Sequence, residues 1–293
     1  MNTKLKINAD NKVLACVDRS RFADYVTDYA AWAAERMSAP LELLHVIDRH
    51  PEIGSGDDHS GAIGFNAQEN LLNELSEKDA QRARDEREAG RIFLNRLRQR
   101  AIDAGVPAPD MRQRHGELGE TLAEHEAGVR LFVLGRRGES AETTQRDLGR
   151  NVEHVVRSLH KPILTVTEGF REPRRVLIAY DGSGVTRRGV EMVAASPLFR
   201  GLPVHLLMSG KARQDGPKQI EWAQKTLQDA GFEAPAQVLP GDPESVIARA
   251  VQELEIDILV MGAYAHSPLR SLLLGSKTTD LLRSSKIPTL LLR

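Results

Sequence analysis

Two stretches of this chain restate each other. Val13 to Asp18 reads VLACVD and Val176 to Asp181 reads VLIAYD; in both, an apolar β-rich run ends in an Asp and a Ser lies two residues on, at Ser20 and Ser183. That is how a strand hands over to a helix N-terminus. A second pair follows, since Leu131 to Gly135 (LFVLG) matches Ile258 to Gly262 (ILVMG), and each leads through a loop, another Gly, a helical stretch and a Pro into a last apolar strand. The spacing shows that this is more than shared composition: Gly149 to Pro162 and Gly275 to Pro288 are both 13 residues. A repeat of this length is one domain built twice. From Asp18 to Gly135 is 117 residues and from Asp181 to Gly262 is 81, so the first half carries 36 more between its landmarks. The expected insertion is residues 48–85, a Gly-rich polar loop followed by a very charged helical stretch that runs on to Ala104. The boundary is expected near Glu168 to Arg174, giving domains 1–170 and 171–293.

Within each half, strand and helix alternate. In the second, strands are expected at Arg175–Tyr180, Pro203–Met208, Ala236–Leu239, Ile256–Met261 and Thr289–Leu292, with helices around Thr186–Ala195, Pro217–Ala230, Pro243–Leu254 and Ser271–Ser284. Such alternation implies an α/β fold, two tandem doubly wound domains with a parallel sheet flanked by helices. The runs of consecutive Val, Ile and Leu suit strands buried on both faces. Ligands of open parallel sheets bind at the carboxyl ends of the strands where the winding reverses, and Asp181 and Gly262 both stand at strand ends.

Composition removes several classes of function. Lys plus Arg number 40 against 41 for Asp plus Glu, and aromatics make up 4%, so neither a global positive field nor base-stacking platforms point to nucleic acid. The sole cysteine, Cys16, lies in an apolar run and reads as a packed, inert thiol; a disulfide framework and a thiolate metal site are excluded, and a reducing cytoplasm is expected. Met1 to Lys12 has no apolar leader core, and no window approaches a membrane span, so no membrane insertion is expected. His50, Asp57, Asp58 and His59 share the insertion without a rigid metal-ligand spacing and read as a polar loop.

The strongest local signal is the run from Gly262 through Ala265 to Gly275-Ser276-Lys277. A strand ending in Gly lets backbone approach a ligand, and a Gly-Ser pair opening a helix offers N–H groups and a hydroxyl to an anion. Lys277, in the first turn, opposes the helix dipole and hints mildly at an anionic partner, although a solvated lysine is the favoured reading. This run resembles the nucleotide loop of the universal stress protein (UspA-like) family, which reads Gly, two residues, Gly, nine residues, Gly, then Ser or Thr. Gly262 and Gly275-Ser276 match in spacing, while Ala265 stands where the family has its second Gly. The order of landmarks, repeated twice, resembles the tandem two-domain type of that family.

The resemblance implies an adenine nucleotide alpha hydrolase-like fold with five parallel strands per domain, and halves paired through their last strands as an intramolecular pseudo-dimer, with homodimerisation left open. It implies ATP, with Mg, in the second domain, the Asp after the first strand (Asp181) and a residue at the end of the second (Met208) helping to hold it. An unidentified protein partner is expected besides the nucleotide. The first half departs further. Gly135 and Gly138 match, but ten residues separate Gly138 from Gly149, and Arg150 replaces the Ser or Thr. Arg136, Arg137, Arg146 and Arg150 read either as anion binders or, for Arg150, as a plug. The plainer alternatives are that Gly262 merely ends a strand, that Gly275 and Ser276 cap a helix, and that Asp18 and Asp181 are turn carboxylates.

Enzyme signatures are absent. Gly275-Ser276-Lys277-Thr278 has the wrong order for a P-loop, no Gly-x-Gly-x-x-Gly follows an opening strand, and Gly182-Ser183-Gly184 lacks the spacing of a nucleophile elbow. No catalytic residue is expected, and the reading is a stress-response protein biased by nucleotide. The alternative is a nucleotide-independent scaffold with degenerate pockets.

Overall fold

Hydrophobic alternation decides the architecture of each half. The computed structural model describes residues 11–47, 65–136, 150–210, 215–263 and 285–293. The first half runs β1 (Lys12–Cys16), α1 (Ala23–Met37), β2 (Leu41–Ile47), α2 (Phe65–Asp103), β3 (Asp110–His115), α3 (Leu118–His125), β4 (Val129–Gly135), α4 (Arg150–Ser158) and β5 (Ile163–Val166). The second runs β6 (Val176–Ala179), α5 (Gly184–Ala195), β7 (Val204–Ser209), α6 (Gly216–Asp229), β8 (Ala236–Leu239), α7 (Pro243–Glu253), β9 (Ile258–Gly262) and β10 (Thr289–Leu292). The anticipated strands of the second half are all present. The start of β9 moves from Ile256 to Ile258, because Glu255 turns left-handed (φ +48°) and the Ile256 N–H closes the end of α7 on the Val251 carbonyl at 2.9 Å. The expected helix over Ser271–Ser284 lies outside the described residues.

One ten-stranded sheet joins the halves, in the order β3-β2-β1-β4-β5-β10-β9-β6-β7-β8. Each half is a parallel 3-2-1-4-5 sheet, and the halves meet through β5 and β10, which pair antiparallel. In that seam Thr165 faces Thr289, Leu164 faces Leu290 and Ile163 faces Leu291. Leu164 and Leu290 each lie two residues after the matching prolines, so the pseudo-twofold axis passes through this pair. Side chains alternate across the sheet. Val13, Ala15, Val176 and Ile178 pack under α1, α2, α5 and α6, while Leu14, Leu134, Leu177 and Leu259 pack under α3, α4 and α7. The first of these layers contains residues of both halves, with Leu164, Val166, Leu290 and Leu292 bridging the seam.

The longest helix marks the main difference between the halves. α2 has 39 residues where its counterpart α6 has 14. Its C-terminal part packs inward through Gly90, Leu94, Leu97 and Ala101, whereas residues 84–89 are all exposed. At ~1.5 Å per residue its 39 residues make a helix about 58 Å long. No helix of the described residues is long and apolar enough to cross a membrane.

Candidate functional site

In each half the winding reverses beside the first strand, between β1 and β4 and between β6 and β9, and the carboxyl ends of these neighbours form the crevice where a doubly wound fold binds ligands. Ala179 of β6 sits in register with Met261 of β9, which brings Asp181, two residues on, next to Gly262, one residue on. The Asp181 carboxylate is set by the turn that follows it. Its Oδ1 accepts the Ser183 N–H at 2.9 Å and the Thr186 hydroxyl at 2.7 Å. Ser183 then caps α5, its hydroxyl accepting from the Thr186 N–H. Asp181 is exposed, and Thr186, which holds it, is buried. Gly182 lies at φ +76°, and a side chain there would strike Gln219 of α6.

Gly262 touches the same turn. A Cβ on it would stand 3.2 Å from Val185 Cγ1 and 3.4 Å from Thr186 Cγ2, so its lack of a side chain lets the first turn of α5 sit down on the end of β9. The structure therefore brings together Asp181, Thr186 and Gly262. Met208, one residue before the end of β7, is buried in the layer under α5 and α6, so its side chain belongs to the core and only its backbone is at the strand end. Ala265, Gly275, Ser276 and Lys277 lie outside the described residues, as do Arg137, Gly138, Arg146, Gly149 and the polar loop with His50, Asp57, Asp58 and His59.

Tyr180 was not anticipated. It is buried at the end of β6, and its hydroxyl has no hydrogen-bond partner among the described residues. Burial pushes its phenol above the ordinary value and the Asp181 charge adds to this, with Arg187 opposing. Arg187 itself stacks over Trp222 at 4.3 Å.

The first half keeps the carboxylate and changes its surroundings. Asp18 Oδ1 accepts the Ser20 N–H at 3.1 Å and the Ser20 hydroxyl at 2.5 Å, but α1 begins only at Ala23 and the Ser20 hydroxyl accepts from Phe22 N–H instead of capping a helix that starts at once. His45, which the repeat places at the position of Met208, is buried, donates from Nδ1 to the Val17 carbonyl at 2.9 Å and rests edge-on against Phe93. Counting from the start of β2 as from the start of β7 would have found it. Arg136 corrects the sequence reading. Its guanidinium is buried against the carbonyls of Ser285 and Ile287 in the other half, so it is no anion binder in the first crevice. Arg150 opens α4. The Cys16 thiol is pushed far above its usual range by burial and further by Glu42. No group of His, Cys, Asp and Glu among the described residues could hold a metal by itself.

Doubly wound halves with a carboxylate at each switch point define a class of small-ligand binding folds. The Universal stress protein family model matches residues 11–167 and 172–293, and the chain belongs to this family. It is 34% identical over 285 residues to universal stress protein Slr1230 of Synechocystis sp., covering 96% of this chain and 99% of that one. Universal stress protein MJ0577 of Methanocaldococcus jannaschii is 27% identical over 86 residues, 29% of this chain and 53% of that one. The crystal structure of a universal stress protein from Archaeoglobus fulgidus has the same fold, with a TM-score of 0.68 at 18% identity over 98% of each chain.

Proposed function

We propose that this protein acts in the stress response of the cytoplasm, binds ATP with Mg at the β6/β9 crevice of its second half, and uses occupancy to bias a protein interaction without turning the nucleotide over. The observation that carries the reading is the Asp181 carboxylate, exposed at the switch point yet held by the Ser183 N–H and the Thr186 hydroxyl. A fixed oxygen acid at that place suits the hydroxyls of a ribose or the hydration shell of a divalent cation. Gly262 leaves the neighbouring strand end without a side chain. The family resemblance of Gly275-Ser276 supplies the anion-binding helix start.

The test is mass spectrometry of small molecules released from freshly purified protein, followed by thermal melts with Mg-ATP. Stabilisation of about 2.7 kcal/mol is expected at a hundredfold excess over Kd, and it should vanish in Asp181→Ala. An empty protein that ignores Mg-ATP overturns the reading. Steady-state phosphate release that disappears in Asp181→Ala would overturn the non-catalytic part alone.

A nucleotide-independent scaffold is the second reading, and one observation favours it. The glycine at 262 is already accounted for by close packing against Val185 and Thr186, which needs no ligand.

A further inference from the structure

Asp18 has a neighbour on each side, and both connect to α2. Before it, the Val17 carbonyl accepts from His45 Nδ1 at 2.9 Å, and the His45 ring rests edge-on against Phe93 with ring centres 5.3 Å apart. After it, Arg19 Nη2 donates to the Glu86 carbonyl at 3.4 Å. Glu86 and Phe93 bracket Gly90, four residues before it and three after. In an α-helix the carbonyl of residue 86 takes the N–H of residue 90, so Arg19 lands on the helical bond made by the only glycine of α2.

Gly90 is where α2 changes character. Beyond it, Leu94, Leu97 and Ala101 are buried, Arg96 pairs with Asp24 of α1 at 2.6 Å, and Arg100 pairs with Asp28 at 2.7 Å. Ahead of it, residues 84–89 are all exposed. Gly90 itself is pressed against β3, where a side chain on it would strike Gln113. A glycine weakens a helix interior relative to alanine, and this one falls where side-chain packing stops. The second half has no such joint. Gly90 and Gly216 both stand 15 residues before the glycine that follows their helix, Gly105 and Gly231, yet Gly216 is the first residue of α6, and Gly182 stands in the place of Arg19.

We propose that the turn carrying Asp18 controls the order of the α2 segment ahead of Gly90, with Arg19 as the positioning residue and the His45–Phe93 contact as the fixed anchor. A change in that turn moves Arg19 relative to Phe93, and the shift falls on the joint at Gly90. A single exposed hydrogen bond is weak enough for such a local change to release it. This goes beyond the nucleotide reading, which concerns the second half, and does not rest on it.

The experiment is hydrogen–deuterium exchange by mass spectrometry on the full chain. Asp18→Ala removes the acceptor of the Ser20 N–H and hydroxyl and so loosens the turn. It should speed exchange over residues 17–23 and, by about threefold, over 80–90, the size of one surface hydrogen bond, with 91–101 unchanged. In the Arg19→Ala background 80–90 should already exchange about threefold faster, and Asp18→Ala should then change 17–23 but not 80–90. Arg19→Lys, which keeps a donor, should restore part of the response. An 80–90 segment that ignores Asp18→Ala, that responds in full without Arg19, or that changes only together with 91–101 overturns the proposal, as does a lysine at 19 that behaves like alanine. Should Asp18→Ala fail to fold, Ser20→Ala takes its place with the same expectations, since it removes the hydroxyl that joins Asp18 to the Phe22 N–H. Gly90→Ala, paired with Gln113→Ala to make room, stiffens the joint and should shrink the response of 80–90; an undiminished response overturns the joint.

Discussion

Glu42 shows how much one side chain can carry in this sheet. It is buried in β2 with Lys12 Nζ at 2.6 Å from one oxygen and Arg112 Nε at 2.6 Å from the other. Removing one member of a buried pair leaves the other charged and dry, so Glu42→Ala should cost about 3–5 kcal/mol in urea denaturation. Tyr180 is the opposite case. Its hydroxyl is buried with no partner among the described residues, and such a group is a liability worth about 1 kcal/mol or more. Tyr180→Phe should therefore leave stability unchanged or raise it, and a clear loss in thermal melts would reveal a partner. The two residues also differ in how they could be read. Asp181 was legible because the repeat and the strand end both single it out, whereas Tyr180 sits in an apolar run whose pattern says only that it is buried. Arg136 was legible as a charge near the first crevice, but the direction of its side chain depends on a strand contact between residues far apart in sequence.

At the scale of elements, the acid that ties two loops together makes a pH-dependent joint. The single 3-10 turn after α3 begins with Glu126, whose carboxylate accepts the N–H groups of His160 and Lys161 just ahead of β5. Burial pushes the Glu126 carboxyl up from 4.5, but those two N–H groups, with the His160 ring, outweigh it and hold it below. A depressed carboxyl contributes stability that is fully present above its unfolded value and lost as pH falls through the folded one. Glu126→Gln should thus be less stable than wild type near neutrality and lose less on acidification below about pH 4.5, which denaturation at a series of pH values checks. The strands of the second half could be read within two residues because each is a short apolar run between helical stretches. The start of α2 could not: residues 84–88 are all charged and residues 84–89 all exposed, so no apolar periodicity marks how far the helix extends toward its N-terminus.

For the whole molecule, the continuous layer through Leu164, Val166, Leu290 and Leu292 predicts that the halves unfold as one cooperative unit. The chain has two tryptophans, and they report on different halves: Trp32 lies in α1 and Trp222 in α6. Single-tryptophan variants, Trp32→Phe and Trp222→Phe, should give coincident urea midpoints, and separated midpoints would show halves that unfold independently. The extension of α2 has a consequence of number. Two separate copies of a domain, paired about a true axis, would carry such a helix twice. The fused chain carries it once, so the molecule as a whole lacks the twofold symmetry that its ten-stranded sheet would otherwise have.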